Sequence, residues 1–307
     1  MEVKFFDIII VGAGPAGMTA AVYARRAGKS VLVLEAESFG GQISFSPKVE
    51  NFPSIKSISG SELSDNLYEQ VVALGAKIEL ERVTSVTDNG KTKTITTDYS
   101  TYECYSLIIA SGLKHRRLSV ERENDFIGKG VSFCAVCDGV FYKGKDVAVF
   151  GGGNTALSDA IYLSEFAKSV TIIHRRNEFR AETKLVERAK GIGNIAFCLS
   201  NVVSGLVGDG SLSGLKIKNV ENGGESEISV EGLFVAIGQI PSNEVFRGLV
   251  ALDENGFVVS GEDCVTDKQG IFVAGDCRTK TVRQLTTAVA DGAVAAISAC
   301  KYVDEIK

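Results

Sequence analysis

The stretch DIIIVGAGPAG (Asp7–Gly17) places a continuous apolar, β-branched run directly before a glycine-rich turn. Such a run is typical of a strand that is buried on both faces of a sheet. A helical pattern follows the turn and ends at Ala27-Gly28, and VLVL (Val31–Leu34) has the composition of a second buried strand, which Glu35 ends. The sequence therefore predicts a strand–turn–helix–strand unit at the N-terminus.

This unit is typical of a dinucleotide site. Gly12 and Gly14 permit a tight turn with close backbone approach, and Pro15 and Ala16 open a helix whose N-terminus suits a pyrophosphate. Glu35 stands where an acid accepts the ribose hydroxyls. The alternative is a glycine-rich turn without a ligand. The flanking strands and the acid favour dinucleotide binding.

A second unit of the same plan lies in the middle of the chain. KDVAVF (Lys145–Phe150) predicts its first strand, GGGNTA (Gly151–Ala156) its turn and VTII (Val170–Ile173) its second strand. In both units the residue that ends the second strand lies 23 positions after the first glycine of the turn. That residue is Glu35 in the first unit and His174 in the second.

Arginines follow His174 at positions 175, 176 and 180. An acid at this place suits free ribose hydroxyls, whereas arginines suit a 2′-phosphate. The first unit is therefore interpreted as a flavin or NAD site, and the second as an NADP site. The alternative for Arg175, Arg176 and Arg180 is a solvated basic face, but their position at the strand end favours phosphate. A further basic run, Lys114–Arg117, is interpreted as a solvated face.

The segment FCAVCDG (Phe133–Gly139) combines two cysteines three positions apart with an acid. On one helical turn, Cys134 and Cys137 are close enough to form a disulfide, and Asp138 is placed to move a proton when a dithiol opens or closes. Half of a zinc site is the alternative, but a tetrahedral site needs two more Cys or His. No second pair has ligand spacing, so we favour redox chemistry and expect no metal. The remaining candidates are isolated: Cys104, Cys198, Cys264, Cys277, Cys300, His115 and His174.

Composition limits the classes of protein. With 307 residues, 45% apolar and 23% charged, the chain has the composition of a globular protein of roughly two domains. A net charge of −5 gives no reason to expect nucleic acid or a membrane as partner. The N-terminus runs straight into a strand, so we expect no signal peptide. Seven cysteines, mostly solitary, suit a reducing cytoplasm.

Other stretches give weaker indications. Gly40–Gln42 and Glu50–Pro53 are loop-like and suit either a cofactor lining or a surface Ω-loop. Ser61–Leu74 predicts an amphipathic helix, and Tyr102–Tyr105 and Leu107–Ala110 predict two separate strands. Near the C-terminus, a strand ends in Gly275-Asp276, and Arg283-Gln284-Leu285 opens a helix. The N-terminus of that helix suits the electron-rich side of a reduced flavin; an amphipathic terminal helix is the alternative.

As a set and in this order, the motifs resemble those of the low-molecular-weight thioredoxin reductases. The resemblance covers almost the whole chain. The motifs are GAGPAG (Gly12–Gly17), GGQ (Gly40–Gln42), ENFP (Glu50–Pro53), CAVCDG (Cys134–Gly139), GGGNTA (Gly151–Ala156), HRRNEFR (His174–Arg180), Gly275-Asp276 and Arg283-Gln284.

The resemblance implies an α/β fold of two Rossmann-like, three-layer ββα dinucleotide-binding domains, the second inserted into the first. An FAD domain would comprise residues 1–114 and 244–307, and an NADPH domain with the CxxC pair residues 115–243. Positions that match FAD contacts are Gly12, Gly14, Pro15, Ala16, Glu35, Gly41, Gln42, Asn51, Gly112, Asp276, Arg283, Gln284 and Leu285. Positions that match NADPH contacts are Gly153, Asn154, Thr155, His174, Arg175, Arg176 and Arg180.

The resemblance also implies a mechanism and an assembly. NADPH passes a hydride to FAD, the reduced flavin reduces the Cys134–Cys137 disulfide, and the dithiol reduces thioredoxin. Cys137 would be the sulfur nearer the flavin, Cys134 the one that attacks thioredoxin, and Asp138 the proton-transfer acid. A homodimer is implied. A flavin-dependent dithiol oxidase and a ferredoxin-fed thioredoxin reductase remain alternatives, which the arginines disfavour, and a non-catalytic redox sensor is a third.

The chain departs from the family pattern at several positions, among them Ser158-Asp159 and Cys277. Ser158-Asp159 follows GGGNTA where two glutamates are common, and we expect this change to alter surface charge only. Cys277 stands beside Asp276 where an aliphatic residue is usual. We interpret Cys277 as a buried small hydrophobe.

Overall fold

The computed structural model describes residues 3–307, in which the chain divides into two compact units. The first comprises Met1–Lys114 and Ile240–Lys307, and the second His115–Gln239. The N-terminal stretch for which we expect no signal peptide includes Met1 and Glu2, and these two residues lie outside the described residues.

The second boundary falls after Gln239 rather than after residue 243 because Asn243 is tied to the first unit. Its amide nitrogen donates to the carbonyl oxygens of Gly256 at 2.9 Å and Cys277 at 2.8 Å. Its side-chain oxygen accepts from the Ser111 hydroxyl at 2.7 Å.

The N-terminal part of the first unit alternates strands and helices. In chain order its elements are β1 (Lys4–Val11), α1 (Pro15–Arg26), β2 (Val31–Glu35), a 3-10 helix (Gly41–Phe45), α2 (Gly60–Ala73), β3 (Lys77–Leu80), β4 (Val83–Asp88), β5 (Lys93–Thr97), β6 (Thr101–Ile109) and β7 (Leu113–His115).

The second unit follows, and the chain then returns to the first. The elements are α3 (Glu123–Phe126), β8 (Val131–Ser132), α4 (Ala135–Asp138), a 3-10 helix (Gly139–Tyr142), β9 (Asp146–Phe150), α5 (Asn154–Ser164), β10 (Ser169–His174), α6 (Thr183–Lys190), β11 (Ile195–Leu199), β12 (Asn201–Asp209), β13 (Ser211–Asn219), β14 (Glu225–Ser229), β15 (Gly232–Val235), β16 (Gln239–Pro241), a 3-10 helix (Glu244–Phe246), β17 (Ile271–Val273), a 3-10 helix (Gly275–Cys277) and α7 (Leu285–Ile306).

The two units share one plan. The first has a parallel sheet in the order β3-β2-β1-β6-β17, which β5 and β4 extend in antiparallel fashion from β6. The second has a parallel sheet in the order β11-β10-β9-β15-β8 and a separate antiparallel sheet of β12, β13 and β14. The expected α/β class with two Rossmann-type units is confirmed.

Strand β6 differs from the prediction of two separate strands, which was wrong. It runs unbroken from Thr101 to Ile109. Its polar interruption, Ser106, is fully buried, and its hydroxyl donates to the Gly270 carbonyl oxygen at 3.0 Å. Because this bond satisfies the buried hydroxyl, the strand continues through it.

Each parallel sheet is covered on both faces. Ile8 and Ile10 of β1 belong to a cluster with buried residues of α1 and α7, such as Met18 and Ala295, whereas Ile9 belongs to the cluster on the opposite face. This alternation follows from the two-residue period of a strand. It explains why β1 is apolar without a break.

Within residues 3–307, no helix combines the length and the apolar character that crossing a bilayer requires.

Candidate redox and dinucleotide sites

The predicted redox pair is a closed disulfide between Cys134 and Cys137. Cys134 caps the short helix α4, and its sulfur lies 3.2 Å from the backbone nitrogen of Cys137. Exposed Val136 sits between the two cysteines, both of which are partly accessible. The sequence prediction of a disulfide at this pair is confirmed.

Asp138 follows the pair in a protected setting. Its backbone N–H donates to the Cys134 carbonyl oxygen at 3.1 Å. Its Oδ2 accepts from the Ser132 hydroxyl at 2.6 Å, while Oδ1 is buried and has no partner within residues 3–307. Burial raises the pKa of Asp138, and the Ser132 hydrogen bond opposes that shift. The carboxyl group is therefore suited to hold a proton at the residue that directly follows Cys137.

The zinc alternative requires two further Cys or His ligands beside Cys134 and Cys137. Among the described residues, no group of three or more His, Cys, Asp or Glu is arranged to hold a metal ion. Cys104 and Cys277 are buried in the core of the first unit. Burial raises the pKa of Cys277, as expected for a thiol that acts as a small hydrophobe.

The first glycine-rich turn joins β1 to α1 in the manner that the sequence predicts. Gly12 has φ +112°, and a Cβ there would lie 2.2 Å from the Ala110 carbonyl oxygen, so only glycine fits. Pro15 and Ala16 open α1, and Gly14 caps it without a side-chain hydrogen bond. The N-terminus of α1 therefore keeps backbone donors available for an anion.

Glu35 is attached to this turn. Its Oε2 accepts the N–H of Ala13 at 2.8 Å, and Oε1 accepts the N–H groups of Ala36 and Glu37, each at 2.9 Å. The acid predicted to receive ribose hydroxyls thus also holds the backbone of the turn in place.

The loop residues predicted to contact a flavin meet the start of α7. The Asn51 amide nitrogen lies 3.5 Å from Oε1 of Gln284, although 233 positions separate the two residues in the sequence. Gln284 caps α7, and Leu285 is its first residue. Gly41 and Gln42 begin a 3-10 helix rather than a simple loop. A Cβ on Gly41 would lie 3.2 Å from the Cα of Gly14, which places this helix against the first turn.

Asp276 and Arg283 complete this part of the first unit. Asp276 has an Oδ1 atom that is buried and without a partner in the described residues, and burial raises its pKa. Arg283 donates from Nε to the Asp276 carbonyl oxygen at 3.3 Å, and its guanidinium lies 4.4 Å from the ring centroid of Phe257. Gly112 has φ +64° and open space on its Cβ side. A hydrogen-bond donor of a bound cofactor would satisfy the buried Oδ1 of Asp276.

The second glycine-rich turn joins β9 to α5. Gly153 caps α5 without a side-chain hydrogen bond, and Asn154 and Thr155 are exposed in its first turn. The Asn154 side chain exchanges two hydrogen bonds with Glu182, at 2.8 Å and 3.0 Å. These bonds tie the start of α5 to the segment before α6.

His174 does not share the environment of the arginines that follow it. Its side chain is 7% exposed, and Nε2 lies 3.1 Å from the Glu178 carbonyl oxygen. A Cβ on Gly152 would lie 2.2 Å from the imidazole, so the ring packs directly against the turn. Burial lowers the pKa of His174, with the nearby arginine charges as lesser causes. The imidazole therefore supports the turn from inside.

Arg175, Arg176 and Arg180 are exposed, and no carboxylate in residues 3–307 forms an ion pair with them. The backbone N–H of Arg180 donates to the Gly152 carbonyl oxygen at 2.8 Å, which fixes this residue beside the turn. Unpaired guanidinium groups at the end of a strand are suited to a phosphate.

The packing of His115 is not evident from the sequence. Its ring stacks on Phe133 at 4.7 Å between centroids, and the guanidinium of Arg117 lies 5.5 Å from the same phenyl ring. Burial, and then the charge of Arg117, lowers the pKa of His115 to about 4. Lys114, Arg116 and Arg117 are exposed, as a solvated face requires, whereas the His115 ring packs against Phe133, the residue that precedes Cys134. Since the stacking partners are 18 positions apart in the chain, local pattern gave no signal for it.

Comparison with known proteins agrees with this geometry. The model of the pyridine nucleotide-disulphide oxidoreductases matches residues 6–292. The chain therefore belongs to the pyridine nucleotide-disulphide oxidoreductase family, in which a flavin and a nicotinamide nucleotide serve disulfide chemistry.

Its relatives place it among the low-molecular-weight thioredoxin reductases. The thioredoxin reductase of Listeria innocua is 41% identical over 307 residues, which cover 100% of this chain and 96% of that protein. That of Bacillus subtilis is 39% identical, with 100% and 97% covered. The crystal structure of the Streptococcus pyogenes thioredoxin reductase superposes with a TM-score of 0.95 at 37% identity and covers 99% of this chain and 100% of that one.

Proposed function

We propose that this protein is an NADPH-dependent flavoprotein disulfide reductase that passes electrons through FAD and the Cys134–Cys137 pair to thioredoxin. The observation that carries the proposal is the disulfide beside a buried acid whose Oδ1 has no partner in the described residues. Dithiol–disulfide exchange needs a reversible sulfur pair and a nearby group that moves protons. The relatives named above are reductases of thioredoxin.

The first unit would hold FAD. Gly12, Gly14, Pro15 and Ala16 form a turn and helix start with free backbone donors, which suits the pyrophosphate. The buried Oδ1 of Asp276 suits a cofactor hydroxyl or N–H. The other residues that would line the site are Glu35, Gly41, Gln42, Asn51, Gly112, Arg283, Gln284 and Leu285. When bound, the flavin supplies two-electron chemistry between nicotinamide and disulfide.

The second unit would hold NADPH. Gly153, Asn154 and Thr155 begin α5 and would face the pyrophosphate, while Arg175 and Arg176 would bind the 2′-phosphate with Arg180 beside them. Arg175, Arg176 and Arg180 form no ion pair in the described residues, which supports a role in phosphate binding. His174 would also contact NADPH, from a buried position in which its ring packs against the turn at Gly152.

Within the sulfur pair, Cys134 would attack the disulfide of thioredoxin, Cys137 would be the sulfur nearer the flavin, and Asp138 would exchange the proton. A cytoplasmic homodimer is the expected form. The net charge of −5 supports a role without nucleic acid or anionic membrane surfaces.

An anaerobic titration tests the proposal. NADPH is expected to bleach the flavin absorbance of the purified protein, and oxidised thioredoxin is expected to restore it. Cys134→Ser should keep the bleaching and lose thioredoxin reduction. A protein that is bleached by reduced ferredoxin but not by NADPH would instead be the ferredoxin-fed reductase, and one that reacts with neither would contradict both.

A further inference from the structure

Ser132 is a buried hydroxyl that connects the sulfur pair to the acid beside it. It ends strand β8 and is 5% exposed. Its Oγ accepts the backbone N–H of Cys134 at 3.1 Å and donates to Oδ2 of Asp138 at 2.6 Å. The Cys134 carbonyl oxygen, at 3.4 Å, is a weaker acceptor for the same proton. One side chain thus contacts both the first cysteine and the acid.

This arrangement makes the two carboxyl oxygens of Asp138 unequal. Oδ2 is engaged by Ser132, whereas Oδ1 is buried and lacks a partner in residues 3–307. A hydroxyl that donates to a carboxylate stabilises its charged form. Burial acts in the opposite direction and raises the pKa of Asp138. Ser132 is the hydrogen-bond donor that counters burial at this carboxyl group.

We propose that Ser132 is a positioning residue that orients Asp138, so that Oδ1 is the oxygen that exchanges a proton with the cysteine pair. The inference rests on the proposed redox function of that pair. It assigns to Ser132 two effects: fixing the carboxyl group relative to the backbone of Cys134, and stabilising the carboxylate that remains after the proton has left.

Protons and electrons balance over one reduction and one reoxidation of the cysteine pair. When the Cys134–Cys137 bond accepts two electrons from the reduced flavin, it breaks and two thiolates would result. One proton passes from Oδ1 of Asp138 to one sulfur, which leaves one thiol, one thiolate and a carboxylate whose charge the Ser132 hydroxyl stabilises. When the dithiol gives its two electrons to a disulfide substrate, the Cys134–Cys137 bond re-forms. The two substrate sulfurs leave as thiols, one proton coming from the remaining thiol and one from solvent, and Asp138 regains its proton from solvent.

None of the other groups around Asp138 described below takes the place of Ser132 as hydrogen-bond donor to its carboxyl group. Tyr142 lies in the following 3-10 helix, and burial, then the charge of Asp138, raises its pKa to about 12. Helix α5 packs against α4 and carries Asp159, whose pKa burial raises to about 7. Strand β15 pairs with β8 through Leu233 and Phe234, which are apolar. No lysine, arginine or histidine in the described residues donates to Asp138.

Two variants and a matched control test the inference on the flavin-loaded, dithiothreitol-reduced and desalted protein. The rate at which the reduced Cys134–Cys137 pair reacts with 5,5′-dithiobis(2-nitrobenzoate) is measured as a function of pH. This profile reports the proton exchange between Asp138 and the cysteines, and it does not require NADPH. Ser132→Ala is expected to move the acidic midpoint of this profile upward by about one pH unit, because the carboxylate loses its donor. Ser132→Thr, which keeps a hydroxyl, should restore the midpoint. Ser169→Ala removes a Ser–Asp hydrogen bond of the same length, 2.6 Å to Asp146, elsewhere in this unit and should leave the midpoint of the profile unchanged.

The outcomes separate the possible roles. An unchanged midpoint in Ser132→Ala overturns the inference. So does a slower reaction with an unchanged midpoint that Ser132→Thr does not rescue, since that pattern marks a purely structural serine. If Ser132→Ala does not fold, Ser132→Gly replaces it. In an Asp138→Asn background the serine substitution should have no further effect on the midpoint, and a persisting shift would also overturn the inference. Failure of the proposed function is detected by a different experiment, the anaerobic titration, in which NADPH would not bleach the flavin of the unaltered protein.

Discussion

The carboxylate of Glu35 accepts the backbone N–H of Ala13 at 2.8 Å, so the acid that ends β2 holds the glycine-rich turn that precedes α1. Ala13 is fully buried, and within residues 3–307 its N–H has no acceptor other than Glu35. A carboxylate offers about four lone-pair sites, which leaves Glu35 able to accept a ribose hydroxyl as well. One side chain would therefore shape the turn and contact the nucleotide that the turn is proposed to bind.

Glu35→Ala is expected to weaken flavin binding by roughly 10-fold or more, because a buried N–H loses a charged acceptor worth about 1.5–3 kcal/mol. The flavin-to-protein ratio after purification and the titration of the apoprotein with FAD measure this effect. Glu37→Ala is the control, since Glu37 is exposed and pairs with Lys114 and Arg82. Equal flavin affinity in Glu35→Ala and the unaltered protein would contradict the assignment.

The double substitution Arg175→Ala/Arg176→Ala is expected to raise the KM for NADPH by about 10- to 100-fold, since each charge-assisted hydrogen bond to phosphate contributes about 1.5–3 kcal/mol. The KM for NADH should stay unchanged because NADH has no 2′-phosphate. The measurement is the steady-state rate of turnover at several concentrations of each nucleotide. Arg188→Ala removes another exposed arginine of the same unit, in the last turn of α6, and should affect neither. A parallel rise for both nucleotides would show that these arginines do not read the phosphate.

Local pattern predicted the strands and turns that build both units, because their signals are contiguous. The run of Ile8, Ile9 and Ile10 has to be buried on both faces, and the two clusters that share these residues show that it is. Such a run, followed by a glycine-rich turn, leaves few alternatives to a parallel sheet. The pairing of Cys134 with Cys137 was equally local, since both lie on one helical turn.

The local sequence pattern did not predict contacts between residues that are far apart in the chain. The division of β6 into two strands followed from a polar residue, Ser106, whose acceptor at Gly270 is 164 positions away. His174 was predicted as an NADPH contact from its place at the strand end and from the family resemblance, but neither showed that its ring packs against Gly152 inside the unit. In both cases a polar side chain is buried because a partner distant in sequence satisfies or encloses it.

A buried ion network near the start of α7 is a further contact of this kind. Arg278, with a side chain 1% exposed, binds Asp291 through Nε at 2.9 Å and through a terminal nitrogen at 3.0 Å. Lys280 approaches the same carboxylate at 2.8 Å, and the N–H of Gly275 donates to it at 3.0 Å. Asp291 thereby fixes the backbone directly before Asp276.

Asp291→Asn is expected to lower the free energy of unfolding by about 3–5 kcal/mol, because buried Lys280 loses its ion-pair partner and buried Arg278 keeps only the exposed Glu262. Urea unfolding followed by far-UV circular dichroism measures the change, since the chain has no tryptophan for fluorescence. Glu262→Gln is the matched control. Glu262 is 91% exposed and lies 3.4 Å from Arg278, so its loss should cost about 1 kcal/mol or less. Equal losses in the two variants would mean that the network contributes little.

Asp159 was expected to alter surface charge only, and the structure gives it a different environment. It lies on α5, and burial raises its pKa from 3.8 to about 7. In the unfolded chain the group ionises near its ordinary pKa of about 3.9. Between these two values the folded protein binds the additional proton, so the free energy of unfolding should fall as the pH rises from about 4 to about 7.

Asp159→Asn removes this pH dependence and should therefore be more stable than the unaltered protein above pH 7, by about 1–3 kcal/mol. A shift of one pKa unit corresponds to about 1.4 kcal/mol, and partial exposure of the side chain reduces the full value. The difference should shrink towards zero at about pH 4, as urea unfolding at several pH values can show. Asp146→Asn is the control of opposite sign, because hydrogen bonds from Lys168 and Ser169 lower the pKa of Asp146. That carboxylate stabilises the fold above its ordinary pKa, so Asp146→Asn should be less stable at neutral pH and approach the unaltered protein in acid. A pH-independent difference for Asp159→Asn would show that Asp159 is ionised in the folded protein.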